Sequence, residues 1–322
     1  MAYLKIIKNG IASTIQDNGR FFFRESGIPV SGAFDKLSAQ FANILLKNKV
    51  NTPVMEFFFS GPIIKFDVDV FVSVTGANIN VYIDDNVYRS GGVYFIKSGS
   101  ILNLSKFKDG RVGYLAIRGT WNIELIYGSS STYIPCKLGG LRGRYLKSDD
   151  TLIINPYEYD VEKNILNKKI FDVVYFLKLN MNFIPFVKGL DWDKFEKKIT
   201  NMFLSQVMEI DIESSRMGLR LKTTNMYHKV ERKHSIGVDE GIIQLPKNGL
   251  PIILMADGQI TGGYPIIGFI PKYGLSILSQ INIGQKFKFE SISLERAKKN
   301  NKKMLQGIKK FKKNYNLKYA NS

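Results

Sequence analysis

What most constrains the fold of this 322-residue chain is its series of short apolar runs with little helical periodicity. Val70-Phe71-Val72-Ser73-Val74, Val81-Tyr82-Ile83 and Gly113-Tyr114-Leu115-Ala116-Ile117 are separated by Gly, Asn and Asp, the residues of turns, and together predict a mainly β architecture. At 44% hydrophobic, the chain is long enough for two cores of ordinary domain size. The first half ends near Leu152-Ile153-Ile154-Asn155-Pro156, and the charged, poorly patterned stretch after it reads as a linker. The expected organisation is an N-terminal β domain over 1–156, a linker over 157–169, a second β domain over 170–295 and a basic tail over 296–322. Phe171-Asp172-Val173-Val174-Tyr175-Phe176-Leu177 reads as the opening strand of the second half, and Asp191 to Lys198 as a short helix capped by Asp191.

The net charge of +18 raises the question of a polyanionic partner, and its placement answers part of it. From Arg296 onward there are ten Lys or Arg and no acidic residue, so the tail holds +10 of the +18. A run of that kind is commonly a solvated face or a disordered end. An acidic partner surface ranks next, and nucleic acid third because no recognition motif accompanies the charge. Lys298 to Lys313 has the length of a basic helix, with Asn300, Asn301 and Gly307 lowering its propensity. No basic segment followed by an apolar run opens the chain, and no stretch approaches the roughly 18 apolar residues of a spanning helix, so a cytoplasmic location is expected. Cys136 is a lone cysteine and reads as a small core residue. His228 and His234 lack metal-ligand spacing, so no metal site is expected.

The densest polar punctuation lies in Gly241–Pro265, GIIQLPKNGLPIILMADGQITGGYP. Ile242, Ile243, Leu245 and Ile252 to Met255 form two strand patterns joined by a Lys247-Asn248-Gly249 turn. Gln244, Asp257, Gln259, Thr261 and Tyr264 interrupt them, and a polar side chain in a core strand is either partnered structurally or aimed at a ligand. Gly262 and Gly263 give the backbone room for close approach. The residues alone leave both readings open.

Six ordered blocks carry a resemblance. They are Ser13 to Arg20 (STIQDNGR), Ser26 to Asp35 (SGIPVSGAFD) with Ala42, Asn43 and Glu56, Gly128 to Thr132 (GSSST), Gly139 to Arg144 (GGLRGR), Ser215 to Leu221 (SRMGLRL), and the stretch ending at Pro265. Together they resemble the KipA-type family, whose members are also called allophanate hydrolase subunit 2, biotin-dependent carboxyltransferase-like protein or the C-subunit of 5-oxoprolinase. The resemblance covers roughly residues 3 to 297. It implies two β-barrel-type, cyclophilin-like domains, and a fold of that kind does not by itself imply prolyl isomerisation. The chain departs from the family pattern at Ile260, at Gly119-Thr120 and at Lys178 to Met181.

The resemblance further implies a subunit of a multi-subunit 5-oxoprolinase converting 5-oxo-L-proline, ATP and water to L-glutamate, ADP and phosphate. Its partners would be a KipI-type subunit and a LamB/YcsF-type subunit. ATP would be bound at least in part by a partner, since this chain lacks a G-x-x-x-x-G-K-[ST] loop. The alternatives are the carboxyltransferase subunit of a urea carboxylase/allophanate-type system, requiring biotin on a separate carrier, and a regulatory protein sequestering a kinase-inhibitor partner. Either enzyme must recognise an amide or ureido group and stabilise negative charge on its oxygen. Gln16, Gln244 and Gln259 offer paired donor and acceptor atoms, and Asp17, Asp35 and Asp257 are the candidates for proton chemistry. Arg20, Arg144, Arg216 and Arg220 lie inside the matching blocks, where a guanidinium fork suits a carboxylate or phosphate, or else pins loops through nearby acids. Thr261, Gly262, Gly263 and Tyr264 complete the expected substrate-binding set, and Gly128 to Thr132 reads either as an anion nest or as turns and caps.

Overall fold

A computed structural model describes residues 2–158, 166–168, 170–177, 180–231 and 234–318. The chain divides into two compact units: Met1–Phe21, Ser31–Phe176 and Ile308–Ser322 in the first, Phe22–Val30 and Leu177–Gly307 in the second. The division differs from the expected partition at three points. Phe22–Val30 belongs with the second unit, the later boundary falls at Phe176/Leu177, and Ile308 onward groups with the first unit. Of the expected linker, residues 159–165 and 169 lie outside the described residues. Within its remainder, Tyr157 and Asn167 donate backbone hydrogen bonds to the Arg118 and Val93 carbonyls.

The first unit is one ten-stranded sheet that curls as a half-barrel. Its strands are β1 (Ala2–Lys8), β2 (Ala12–Gln16), β3 (Val54–Phe58), β4 (Ile63–Phe66), β5 (Val70–Ile83), β6 (Asn86–Arg89), β7 (Gly92–Ile96), β8 (Ile101–Ile117), β9 (Gly119–Trp121) and β10 (Thr151–Pro156). They run in the order β2-β3-β8-β4-β1-β10-β9, with β5 along β8 and carrying β6 and β7. The apolar runs at 70–74 and 81–83 belong to one strand: Gly76 and Asn78, which read as a break, are register shifts of β5 against β8. Leu4, Ile15, Phe57, Phe66, Val72, Ile79, Leu104 and Leu115 are among its fully enclosed core residues. Helix α1 (Lys36–Leu45) is capped by Asp35, whose side chain accepts from the Ser38 N–H.

The second unit holds a closed barrel, β11-β18-β15-β16-β13-β12-β19, from β11 (Phe183–Lys188), β12 (Met208–Ile210), β13 (Gly218–Lys222), β15 (Ile242–Gln244), β16 (Ile252–Leu254), β18 (Ile266–Phe269) and β19 (Lys286–Ser291). A parallel β11–β19 pair closes it, and β14 (Ile236–Gly237) pairs with β17 (Thr261–Gly262) outside it. The expected hairpin forms: β15 and β16 are antiparallel, with Gly249 at φ +74° in the turn. Phe203 of α3 (Lys197–Ser205) stacks on Phe289 at 4.8 Å and meets Phe186 edge-on at 5.2 Å.

Helices correct two expectations. Phe171–Leu177 is not a strand. Val173–Leu177 forms α2, because Asp172 accepts from the Tyr175 N–H and frees Phe171 and Phe176 to pack on the Phe41 ring. The Asp191–Lys198 helix divides into a 3₁₀ turn, Trp192–Lys194, and α3; Asp191 caps neither and instead accepts from the Ile266 N–H at 2.9 Å. The helix read over Lys298 to Lys313 is present and longer, as α5 (Leu294–Lys318), preceded by α4 (Lys272–Leu278). Ala297, Met304, Ile308, Phe311 and Tyr315 recur at helical spacing and turn inward, which orders it. Asn301, a poor helix former, accepts from the Tyr273 N–H, and Tyr315 donates to the Leu45 carbonyl. Cys136 is exposed rather than in the core. No helix among the described residues is long and apolar enough to cross a membrane.

Because Phe203 is fully buried against the rings of Phe186, Trp192 and Phe289, Phe203→Ala is expected to cost about 3–5 kcal/mol and Phe203→Leu far less. Denaturant midpoints check this, and a Phe203→Leu cost equal to that of Phe203→Ala would overturn the expectation that apolar volume, more than the ring itself, is what the site holds.

Candidate functional site

In the second unit the bulge between Ile243 and Gln244, where β15 shifts register against β18, turns both successive side chains inward. Gln244 is 1% exposed, and its Nε2 has no partner among the described residues. A Cβ placed on Gly262 would lie 2.4 Å from Gln244 Nε2 and 2.9 Å from Gln259 Nε2, so a larger residue here would displace one or both carboxamides. Val238, Leu254 and Ile266 form a small apolar cluster with Ile236 and Ile242 packed against it, and Val238 lies beside Gly262. A donor enclosed by apolar groups is costly to leave unmade, which marks Gln244 as a place for a ligand oxygen.

Arg216 and Asp257 flank this strand pair as a buried, two-pronged ion pair. Nε donates to Oδ2 at 2.8 Å and Nη2 to Oδ1 at 3.1 Å, and the Asp257 N–H returns a bond to the Arg216 carbonyl. Arg220 alternates outward from Leu219 and Leu221 and sits loosely near Glu213 at 4.0 Å. Gln259, Thr261, Gly263 and Tyr264 are exposed, with Thr261 opposite Gly237 in the β14–β17 ladder. Arg24, unnoticed in the sequence, donates to the Val238 carbonyl and pairs with Asp239 at 3.1 Å, so it braces the same ladder.

The first unit gathers Gln16, Asp17 and Arg20 around the Gly128–Thr132 block. Asp17 accepts from the Gly19 and Ser130 N–H groups and the Ser129 and Ser131 hydroxyls, which makes that block a pinned turn rather than an open anion nest. Arg20 is fully enclosed and donates to the Ser131 carbonyl. Gln16 donates to Thr14 Oγ1 at 3.0 Å and the Thr132 carbonyl at 3.1 Å, while its buried Oε1 has no partner among the described residues. Arg144 is committed to Asp150, both contacts at 2.7 Å, which raises the guanidinium through the hydrogen bond and lowers the carboxyl. Asp17, Asp35 and Asp257 all have both carboxylate oxygens engaged, so in this arrangement they hold structure and none offers a free base. Among the described residues no cluster of His, Cys, Asp or Glu has the form of a metal site. His228 is tied to the Leu245 carbonyl at 2.8 Å.

A second polar centre was not legible. Tyr114 donates to Glu56 Oε2 at 2.8 Å and accepts from the Asp35 N–H at 2.6 Å, while the Phe34 N–H donates to the same Glu56 oxygen at 2.6 Å. Burial first, then the Glu56 and Asp35 carboxylates, push the hydroxyl well above its ordinary 10.0. Tyr114→Phe is expected to cost about 1–3 kcal/mol by leaving buried partners unmet. The fold holds the neutral phenol, so its stabilisation is complete below pH 10.0 and fades as pH rises beyond it. Melting curves of the two proteins should therefore converge in alkali; a constant gap would refute the assignment.

Comparison with known proteins accords with the blocks. The family model for the carboxyltransferase domain, subdomain A and B, matches residues 26–291. The chain is 35% identical over 297 residues to the 5-oxoprolinase C-subunit of Escherichia coli, covering 92% of this chain and 93% of that protein. It is 33% identical over 290 residues to the 5-oxoprolinase C-subunit of Haemophilus influenzae, covering 89% and 90%. It is 25% identical over 318 residues to urea amidolyase of Saccharomyces cerevisiae, but spans only 17% of that protein. The crystal structure of K. lactis urea amidolyase superposes with a TM-score of 0.84 at 23% identity, over 98% of this chain and 20% of that one, a likeness of fold. By the matched length and these relatives, the chain belongs to the family of the carboxyltransferase domain built from subdomains A and B.

Proposed function

We propose that this chain is a subunit of a multi-subunit, ATP-dependent 5-oxoprolinase, with Gln244 beside Gly262 reading the lactam. The observation that carries the proposal is the Nε2 of Gln244, buried beside Gly262 near Val238 and without a partner among the described residues. The two bacterial relatives that bear the 5-oxoprolinase name, matched over nearly their whole length, favour this substrate over others with an amide oxygen.

A lactam resists hydrolysis because its nitrogen lone pair is delocalised into the carbonyl. Phosphoryl transfer from ATP to the lactam oxygen creates an activated carbon; water adds there, the C–N bond breaks and the amine takes the proton. A second water hydrolyses the resulting acyl phosphate, releasing phosphate and glutamate. Gln244 donates to the lactam oxygen and holds it in place for phosphoryl transfer. Gln259 supplies a second amide at the same point, and the Arg216–Asp257 pair fixes the loop that presents it. ATP and the groups that move protons are assigned to partner subunits of KipI and LamB/YcsF type, because the motif aspartates Asp17, Asp35 and Asp257 are engaged. A cytoplasmic complex fits this division of labour.

A second reading, carboxyl transfer from carboxybiotin on a separate carrier to a urea-like nitrogen, is favoured by the family model's description and the urea amidolyase relative. The Gln244 amide would suit a ureido oxygen equally well.

Glutamate release by the assembled subunits, with and without ATP, decides between them. The wild-type complex is expected to release glutamate only with ATP, and Gln244→Ala to lower kcat/KM on the order of 10²-fold, the usual effect of losing one fixed donor. An assembled complex that makes no glutamate, yet carboxylates urea with a biotinylated carrier, would replace the first reading with the second.

A further inference from the structure

Arg111 lies on β8 of the first unit and is 3% exposed, yet its Nε and Nη2 have no hydrogen-bond partner among the described residues. Its side-chain contact is stacking: the guanidinium carbon stands 5.1 Å from the centroid of the Phe34 ring. The Phe58 ring meets Phe34 edge-on at 5.3 Å, and the exposed Phe59, at φ +58°, donates its N–H to the Arg111 carbonyl. The nearby acids are committed elsewhere, Glu56 to Tyr114 and the Phe34 N–H, Asp35 to Ser38. Burial lowers the guanidinium only to about 10, so at neutral pH the charge persists. An enclosed cation with two unmet donors is among the costlier arrangements a fold retains.

The chain itself shows what that edge of a guanidinium takes. Arg216 uses the same two nitrogens, Nε and Nη2, to grip both oxygens of Asp257. In Arg111 the matching fork is open, and a planar fork stacked on an aromatic ring is matched in geometry and charge by a carboxylate. We propose that Arg111 is the receptor of a small carboxylate, bound through Nε and Nη2 against the Phe34 ring, at a site of its own in the first unit. Two sources supply this chemistry under the function proposed above, the substrate 5-oxoproline and the product glutamate, and the site does not require that function. Because the fork is enclosed without ligand, the side chain must move to admit one.

The test is calorimetric and thermal titration of the full chain, at matched ionic strength in sodium chloride, with acetate, acetamide, 5-oxo-L-proline, 2-pyrrolidone and L-glutamate. Acetate and at least one of the larger carboxylates are expected to bind and raise Tm, acetamide and 2-pyrrolidone to do neither, and Arg111→Gln to weaken carboxylate binding at least tenfold. Tighter binding of 5-oxoproline or of glutamate names the source. The proposal is overturned if no carboxylate binds, if acetamide matches acetate, or if Arg111→Gln keeps wild-type affinity. Should that variant not fold, Arg111→Lys, which keeps the charge and loses the fork, must weaken binding, and the acetate–acetamide contrast on wild type must stand. Carboxylate binding at Arg111 with no glutamate made by the complex would sink the oxoprolinase reading and leave this one intact.

Discussion

The second unit's site depends on the enclosed ion pair between Arg216 and Asp257. Two charges are taken out of water there, and the attraction between them roughly offsets that desolvation only because both oxygens meet the guanidinium edge and the backbone adds a reciprocal bond. What the pair contributes is placement: residue 216 leads into β13 and residue 257 follows β16, so the corner between β16 and β17 is fixed to its neighbour strand. From that corner the chain runs through Gln259 to Gly262, whose missing side chain lets the backbone come within reach of two carboxamides.

The first unit follows the same economy with different parts. Asp17 gathers a serine-rich turn, Glu56 and Tyr114 tie the entry of α1 to β3 and β8, and Arg20 is held by a carbonyl. Buried polar groups in such a core are ordinarily satisfied; among the described residues those without a partner include Gln16 Oε1, Ser31 Oγ, Trp121 Nε1 and two nitrogens of Arg111, and Gln244 Nε2 in the second unit. The conspicuous aspartates of the motifs have both carboxylate oxygens hydrogen-bonded, while the unpartnered donors and acceptors include amides and one arginine on a strand.

Much of this architecture was legible. The apolar runs predicted the strands, and Lys247-Asn248-Gly249 the turn between β15 and β16. The motif blocks contain Gln16, Asp17, Arg216 and Gln244, read there as substrate-binding residues and, for Asp17, as a candidate for proton chemistry. Less was legible where local and tertiary signals compete. Phe171–Leu177 is as apolar as a strand, and only the cap from Asp172 and the Phe41 surface make it a helix. The basic tail reads as solvated because its lysines outnumber its apolar residues, yet the few inward positions suffice to order it. Tyr114 and Arg111 lie on β8 among residues that read as ordinary strand, and no local pattern separates them from the core.

The sequence by itself determined the β-rich class, the hairpins and the family, because period-two patterning, turn residues and ordered motifs are local properties that survive in a linear string. Only the tertiary structure decided which polar atoms meet. Arg216 and Asp257 are 41 residues apart, Glu56 and Tyr114 58, and Asp17 and Ser129 112. Satisfaction of a buried charge or amide depends on what the folded chain brings within about 3 Å of it, a distance that sequence separation does not encode.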